Sequence, residues 1–251
     1  MHVELLAGKT AMITGCNRGI GYELLKIYLE HGAKIIACLR QPDPNFKKTR
    51  QELESVSSGR VITEVYFDLA NPSEVKDAVK EIVSRKCDID IIINNAGALT
   101  PASVHLTSEA LVQEMLTINF SSQLYLVQSL SRRMMRNKKG CIINVASSAA
   151  LDGNAGRMAY AASKSALIAA TKVISRELGP YNIRANVIAP GLTDTAMMRD
   201  STASDEIEKV LGGVSLGRIG LPSEIANVAL FLGSDLASYI TGQVVRVDGG
   251  M

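Results

Sequence analysis

Three side chains in the middle of the chain have types and spacings suited to moving a proton at a carbonyl or alcohol: Ser147, Tyr160 and Lys164. Tyr160 and Lys164 stand four apart, so on a helix they share one face. A free tyrosine has a pKa of about 10 and shuttles protons poorly at neutral pH unless a nearby cation favours its phenolate. Lys164 is placed to be that cation. Ser147, thirteen positions before Tyr160, carries a hydroxyl that both donates and accepts hydrogen bonds. Taken alone, a tyrosine and a lysine at this spacing are ordinary helix-surface neighbours, so the rest of the chain has to support the chemical reading.

The flanking segments are of the kind that would hold such a trio in place. Residues 141–145 read as a short buried strand followed by the small residues 146–150, and a strand end of that type borders a ligand crevice in α/β sheets. The apolar run 165–178 has the length and composition of a buried helix. Nearer the start, the strand 9–14 runs into a glycine turn containing Gly15, Asn17, Arg18, Gly19, Ile20 and Gly21, and helical periodicity follows over 22–31. A turn of this kind brings backbone N–H groups and a helix N-terminus up to a phosphate, or it is a structural turn only; its place as the first strand-to-helix turn favours phosphate. The second strand, 34–39, ends at Arg40, and neither Leu39 nor Arg40 is an acid. An acid there would hold a bare ribose hydroxyl, whereas an arginine suits a 2′-phosphate, so Arg40 and Arg18 together favour NADP(H) over NAD(H). The bland alternative is that Arg40 is a solvated loop residue.

Further strands read over 61–67, ending before Asp68 and Leu69; over 90–94, turning at Asn95, Ala96 and Gly97; over 182–188, closing before Pro190 and Gly191; and over 243–247. Helices read over 46–56, 71–85, 108–135 and 222–232. Asn119 interrupts the apolar stretch within 108–135 and is either a satisfied buried amide or a functional one. Residues 192–221 have little regular pattern and read as a lid over an apolar substrate. Alternating strands and helices with continuously apolar strands predict a single α/β domain over 1–251, a Rossmann-type doubly wound parallel sheet of about seven strands with helices on both faces.

Composition narrows the function classes. The chain has 251 residues, 47% of them hydrophobic, and a net charge of +2 from 27 basic and 25 acidic side chains, which points to neither nucleic acid nor a membrane surface. Its four cysteines lack CxxC spacing and read as reduced thiols of a cytoplasmic protein. The first residues are too interrupted for a signal peptide, and the protein is expected to be soluble. No clustered ligand set suggests a metal, and hydrolysis is disfavoured because there is no GxSxG elbow and His2, His31 and His105 lie far from Ser147. Arg132, Arg133, Arg136, Lys138 and Lys139 form a basic cluster of the kind usually found at a solvated helix end.

Five separated motifs in order make the chain resemble the short-chain dehydrogenase/reductase family over its whole length: Thr14-Gly-x3-Gly-Ile-Gly21, Asn94-Asn-Ala-Gly97, Asn119, Ser147 with Tyr160-x3-Lys164, and Pro190-Gly191 followed by Thr195. The resemblance implies that Ser147 orients a carbonyl, Tyr160 passes the proton, Lys164 lowers the tyrosine pKa and binds the nicotinamide ribose, and Asn119 supports a water relay. It also implies adenine contacts at Asp68 and Leu69, and nicotinamide contacts from the Ile188 backbone, Thr193 and Thr195. The last forty or so residues are most similar to the 3-oxoacyl-[acyl-carrier-protein] reductase branch, in Glu224-Ile-Ala, Ser234-Asp, Ser238-Tyr-Ile-Thr-Gly242 and the Gly-Gly-Met ending. That branch implies NADPH-dependent reduction of a 3-oxoacyl thioester in fatty acid biosynthesis, a homotetramer, and basic residues that hold an acidic carrier protein. Lys138 stands for one of these, and Tyr181 replaces the other. A sugar, steroid or small ketone as substrate, and a dinucleotide-binding regulator without turnover, are the alternatives.

Overall fold

Neighbouring residues in the strands are both buried: Met12 and Ile13, Ile35 and Ile36, and Ile92 and Ile93 are at most 3% exposed. Successive strand side chains point to opposite faces, so such strands need cover on both sides. The computed structural model, which describes residues 4–57 and 60–251, supplies that cover; residues 1–3, with His2 and the start of the chain read above for a signal peptide, lie outside it. In chain order the regular elements are β1 (Thr10–Thr14), α1 (Gly19–Glu30), β2 (Lys34–Leu39), α2 (Pro44–Val56), β3 (Ile62–Tyr66), α3 (Pro72–Ser84), β4 (Ile91–Asn94), α4 (Glu109–Leu116), α5 (Ser122–Asn137), β5 (Gly140–Val145), α6 (Ala149–Asp152), α7 (Met158–Leu178), β6 (Ile183–Pro190), α8 (Ala196–Ser201), α9 (Ser204–Leu211), α10 (Pro222–Gly233) and β7 (Val244–Val247).

Among the described residues the strands form one seven-stranded sheet in the order β3-β2-β1-β4-β5-β6-β7, with every neighbouring pair parallel. This is a Rossmann-type doubly wound sheet, and its order reverses between β1 and β4, where such sheets bind ligands. One face packs Ile13, Ile35, Ile93 and Ile143 against Leu24, Leu25 and Tyr28 of α1 and Ile225, Ala229 and Leu230 of α10. The other packs Met12, Ile36, Ile92 and Ile142 against Val75 and Ile82 of α3 and Leu126 and Leu130 of α5. Tyr28 crosses the first layer and donates its hydroxyl proton to the Ala229 carbonyl at 2.6 Å, which satisfies the one polar atom that its burial would strand.

Register places the functional turns along one edge. Thr14 pairs with Cys38, and the Gly15 N–H reaches the Cys38 carbonyl at 2.8 Å, so the glycine turn lies beside Arg40. Asn94 pairs with Asn144 and Val145 with Ile188, which brings the ends of β4, β5 and β6 level. A buried chain of amides runs back from that edge: Asn94 donates to Asn144 at 2.8 Å, and Asn144 donates to the Thr171 hydroxyl of α7 at 2.8 Å. Helix starts follow the expected side chains, with Asn71 accepting from the Ser73 N–H and Ser108 from the Leu111 N–H.

The helix expected over 108–135 does run on past Asn119, as α4 and α5 joined without a gap by a π-helical turn, Thr117–Ser121, with Asn119 in its middle. From that wider turn the Asn119 side chain bonds to Ala98 in the loop after β4, a contact remote in sequence that local helical periodicity does not register. The segment 192–221 is partly ordered as α8 and α9; α8 is capped by Thr195, whose hydroxyl accepts the Met198 N–H at 3.2 Å. These helices are short, six and eight residues, and their local apolar pattern is too brief to read.

Candidate active site

The carboxyl ends of the strands open into one cavity of about 600 Å³. It is lined by Gly15, Asn17, Arg18, Gly19, Ile20 and Gly21 of the first turn, by Arg40, Asp68 and Leu69 after β2 and β3, and by Asn95, Ala96 and Gly97 after β4. Ser147, Tyr160 and Lys164 line it from β5 and α7, and Pro190, Gly191, Thr193 and Thr195 from β6 onward. The phosphate end is shaped by backbone. Gly15 and Gly19 adopt φ of +73° and +55°, and a Cβ at Gly21 would stand 1.9 Å from the Gly15 carbonyl, so no side chain fits between turn and helix. The residue before α1, Arg18, makes no side-chain cap, leaving the first N–H groups of the helix to face the cavity. Such a cradle fits a dinucleotide pyrophosphate.

At the other end the reactive trio meets. α7 begins at Met158, ahead of Tyr160, and the Ser147 hydroxyl is close enough to the phenol to work against the rise of its pKa. Ser147 Oγ also accepts the Ala149 N–H at 3.2 Å, which turns its own hydrogen away from the backbone. Lys164, 3% exposed, donates from Nζ to the Val145 carbonyl at 2.7 Å. Burial lowers the Lys164 pKa to about 8. Burial also raises Tyr160 above its usual value, and the Ser147 hydroxyl and the Arg157 charge offset this only in part. Arg157 is the charge that acts on the phenol here, and desolvation of the phenolate outweighs it.

Two expected residues stay outside the lining. Asn119 is fully buried; its Oδ1 accepts the Ala98 N–H at 2.9 Å, and its Nδ2 donates to the Ala98 carbonyl at 2.9 Å and to Ser163 Oγ at 3.0 Å. The amide is spent on the loop after β4 and on α7, so Asn119 positions rather than touches. Ile188 is 0% exposed in the interior of β6, and its carbonyl already accepts the Ala146 N–H at 2.8 Å. The cavity lining resumes two residues later, at Pro190 and Gly191. Three residues in the site were not singled out from sequence. Thr14 Oγ1 accepts the N–H groups of both Asn95 and Ala96 at 3.0 Å and staples β1 to β4; it stands inside the glycine motif and could have been read there. Ser163 passes the Asn119 contact on to the Tyr160 carbonyl at 2.7 Å. Arg157, three residues before Tyr160, lines the cavity, and only that proximity in sequence marked it.

A family model described as enoyl-(acyl carrier protein) reductase matches residues 15–251. A 3-oxoacyl-[acyl-carrier-protein] reductase of Chlamydia trachomatis is 38% identical over 98% of both chains. The chain belongs to the short-chain dehydrogenase/reductase family. A 3α-hydroxysteroid dehydrogenase of Mediterraneibacter gnavus is 31% identical over 98% of this chain and 97% of its own. Among solved structures, a candidate NAD(P)-dependent gluconate 5-dehydrogenase of Beutenbergia cavernae, containing NADP at low occupancy, superposes with a TM-score of 0.92 at 31% identity, covering 99% and 98% of the two chains. Members of this family are oxidoreductases of alcohol and carbonyl groups that use a nicotinamide cofactor, and the cradle at Gly15 to Gly21 fits that group. Among the described residues no cluster of ligating side chains could hold a metal, and no helix is long and apolar enough to cross a membrane.

The buried lysine has a measurable signature. Its folded pKa of about 8 lies below the unfolded 10.5, so between these values the unfolded chain binds the extra proton. The cost of burying the charge is full below about pH 8 and disappears as pH rises towards 10.5. Compared with Lys164→Met, the parent should gain stability from pH 8 to 10, on the order of 1–3 kcal/mol in urea unfolding. Comparison with the variant cancels the raised thiols and phenols, and a difference that stays flat with pH would remove this account of the site.

Proposed function

We propose that the protein is an NADPH-dependent reductase of ketones, run in reverse as a secondary-alcohol dehydrogenase, with a 3-oxoacyl thioester as its leading substrate. The observation that carries the reading is the convergence of the buried Tyr160 phenol with Ser147 and Lys164 in one cavity with a dinucleotide cradle, burial keeping the phenol protonated at neutral pH. Reduction needs a protonated donor at the carbonyl oxygen. When bound, the reduced nicotinamide supplies a hydride to the carbonyl carbon. Ser147 aims its hydroxyl hydrogen at the carbonyl oxygen, Tyr160 gives that oxygen its proton, and Lys164 presents a cation beside the phenol as it ionises. The segment 192–221 serves as a lid: its ends are pinned together by the Asp194 N–H to Gly220 carbonyl bond at 2.9 Å and the Gly220 N–H to Leu192 carbonyl bond at 2.9 Å, while Met197 and Met198 between them line the cavity.

The thioester rests on similarity to the Chlamydia reductase. A sugar acid or steroid ketone is the second reading, favoured by the gluconate and hydroxysteroid relatives. A regulator without turnover is disfavoured because Ser147, Tyr160 and Lys164 are all present and convergent. An acyl carrier protein as the bearer of the thioester enters the reading through Lys138 alone: its neighbours Lys139 and Arg133 pair with Asp90 at 2.8 Å and with Asp88, and Tyr181 stands where a second cation is expected. Tyr160→Phe removes the proton donor alone and should lower kcat by about 10²–10⁴-fold with a much smaller effect on the NADPH Kd. A variant with near-parental kcat would show that another group delivers the proton.

NADPH is preferred in this reading because Arg18 and Arg40 both line the adenosine end and both are exposed enough to meet a 2′-phosphate. The double change Leu39→Asp with Arg40→Leu should shift the ratio of kcat/KM for NADPH over NADH by about 10–100-fold towards NADH, the size of one or two solvent-screened ionic contacts. A parent that uses both cofactors equally would sink the assignment. The enzyme is further read as a cytoplasmic homotetramer, supported by the half-exposed Val173 on α7 and by the closed symmetry of most soluble oligomers. Light scattering at micromolar concentration should return four copies, and a monomer would reject it.

A further inference from the structure

Charge is unevenly distributed around the cavity. Among the described residues that line it, the acids are Asp43 and Asp68, which follow β2 and β3. Arg157 lies beyond β5, and four strand spacings of about 4.8 Å separate β3 from β5, so Asp68 is roughly 19 Å from that end. The charged lining on the β5 side is Arg157 and Lys164, both cations. Lys164 is committed to the Val145 carbonyl. Arg157 is not committed in the same way. Its side chain is 14% exposed, it donates to the neutral Thr202 hydroxyl at 2.7 Å, and the Glu206 carboxylate stands off at 3.9 Å and is itself half exposed. A guanidinium carries five donors and recovers its desolvation cost best from a bidentate carboxylate.

We infer that Arg157 is a specificity-determining residue that selects substrates carrying a carboxylate close to the carbonyl being reduced. The inference rests on the ketone-reductase reading above and adds the substrate's charge to it. Arg157 is the residue just before α7, three positions ahead of Tyr160; both line the cavity, and the Arg157 charge acts on the Tyr160 phenol. A carboxylate two to four bonds from the reacting carbonyl therefore reaches the guanidinium while the carbonyl oxygen meets Tyr160 and Ser147. Two sources supply that chemistry: a free oxo acid, or an acyl thioester whose chain ends in a carboxylate. Because Arg157 also holds Thr202, between α8 and α9, the anion is read by a group already joined to the segment that covers the cavity.

The test compares kcat/KM with NADPH for two matched pairs: a 3-oxo acid against its methyl ester, and a 3-oxoacyl N-acetylcysteamine thioester ending in carboxylate against one ending in methyl. In at least one pair the anionic member should be favoured by about 10–100-fold, and which pair identifies the source. Arg157→Gln should bring that ratio to within about threefold of unity, and Arg157→Lys should keep part of it, as a charge without the bidentate fork. Thermal unfolding and NADPH binding of both variants separate loss of selectivity from loss of fold. A parent that prefers the neutral members, or a preference that survives Arg157→Gln, overturns the inference while the reductase reading stands. A parent that reduces none of the four overturns both.

Discussion

The hydrogen bond from Lys164 Nζ to the Val145 carbonyl is the contact on which the geometry of the site depends. Val145 is the last residue of β5, and Ser147 follows two residues later; Lys164 lies one turn beyond Tyr160 on α7. Joining the lysine to the strand end therefore fixes the distance between the serine and the tyrosine, which belong to different elements. An ammonium buried to 3% exposure is expensive, and the single carbonyl does not repay the loss of water, as its depressed pKa records. The site thus stores unfavourable electrostatics next to the cavity, where a ligand offering hydroxyl oxygens would relieve it. Stability is given up at the place where chemistry needs a poised charge.

Around that contact the protein spends its buried polar groups on alignment. Asn94, Asn144 and Thr171 form a chain across β4, β5 and α7, each link contributing about 1 kcal/mol net and costing more if broken, because the partner would be stranded. Asn119, Ser163 and the Tyr160 carbonyl form a second chain from the π turn into α7. Thr14 does the same between β1 and β4. Apart from Asn94 Oδ1, which is buried without a partner, the polar atoms of these chains are paired inside the close-packed interior, and the chains run to the trio from behind the cavity.

The cover of the cavity follows a different rule. α8 and α9 are short, their base is pinned at Thr193 and Gly220, and few buried apolar side chains anchor them, Met198 and Val214 among them. Segments held so lightly open at low cost. Arg157, just before α7, bonds to Thr202 between α8 and α9 and also lines the cavity.

The chain by itself determined the strands, the helices that flank them, the glycine turn and the Ser147, Tyr160 and Lys164 trio, because these are written in local patterns: continuous apolar runs, glycines where a Cβ would clash, and a four-residue helical spacing. The gathering of most of the expected lining into one cavity follows from parallel strands of matched length, which that pattern already implies. Tertiary structure decided what depends on partners remote in sequence. Asn119 is drawn into a π turn by Ala98 and Ser163, and Ile188 is withdrawn into the sheet because β5 claims its carbonyl. The direction of the Tyr160 shift is set by how much water the folded surroundings exclude, and a residue's neighbours in sequence do not report that. The same holds for Arg157: its type is visible in the chain, but its long 3.9 Å pairing with Glu206 of α9 exists only in the folded protein.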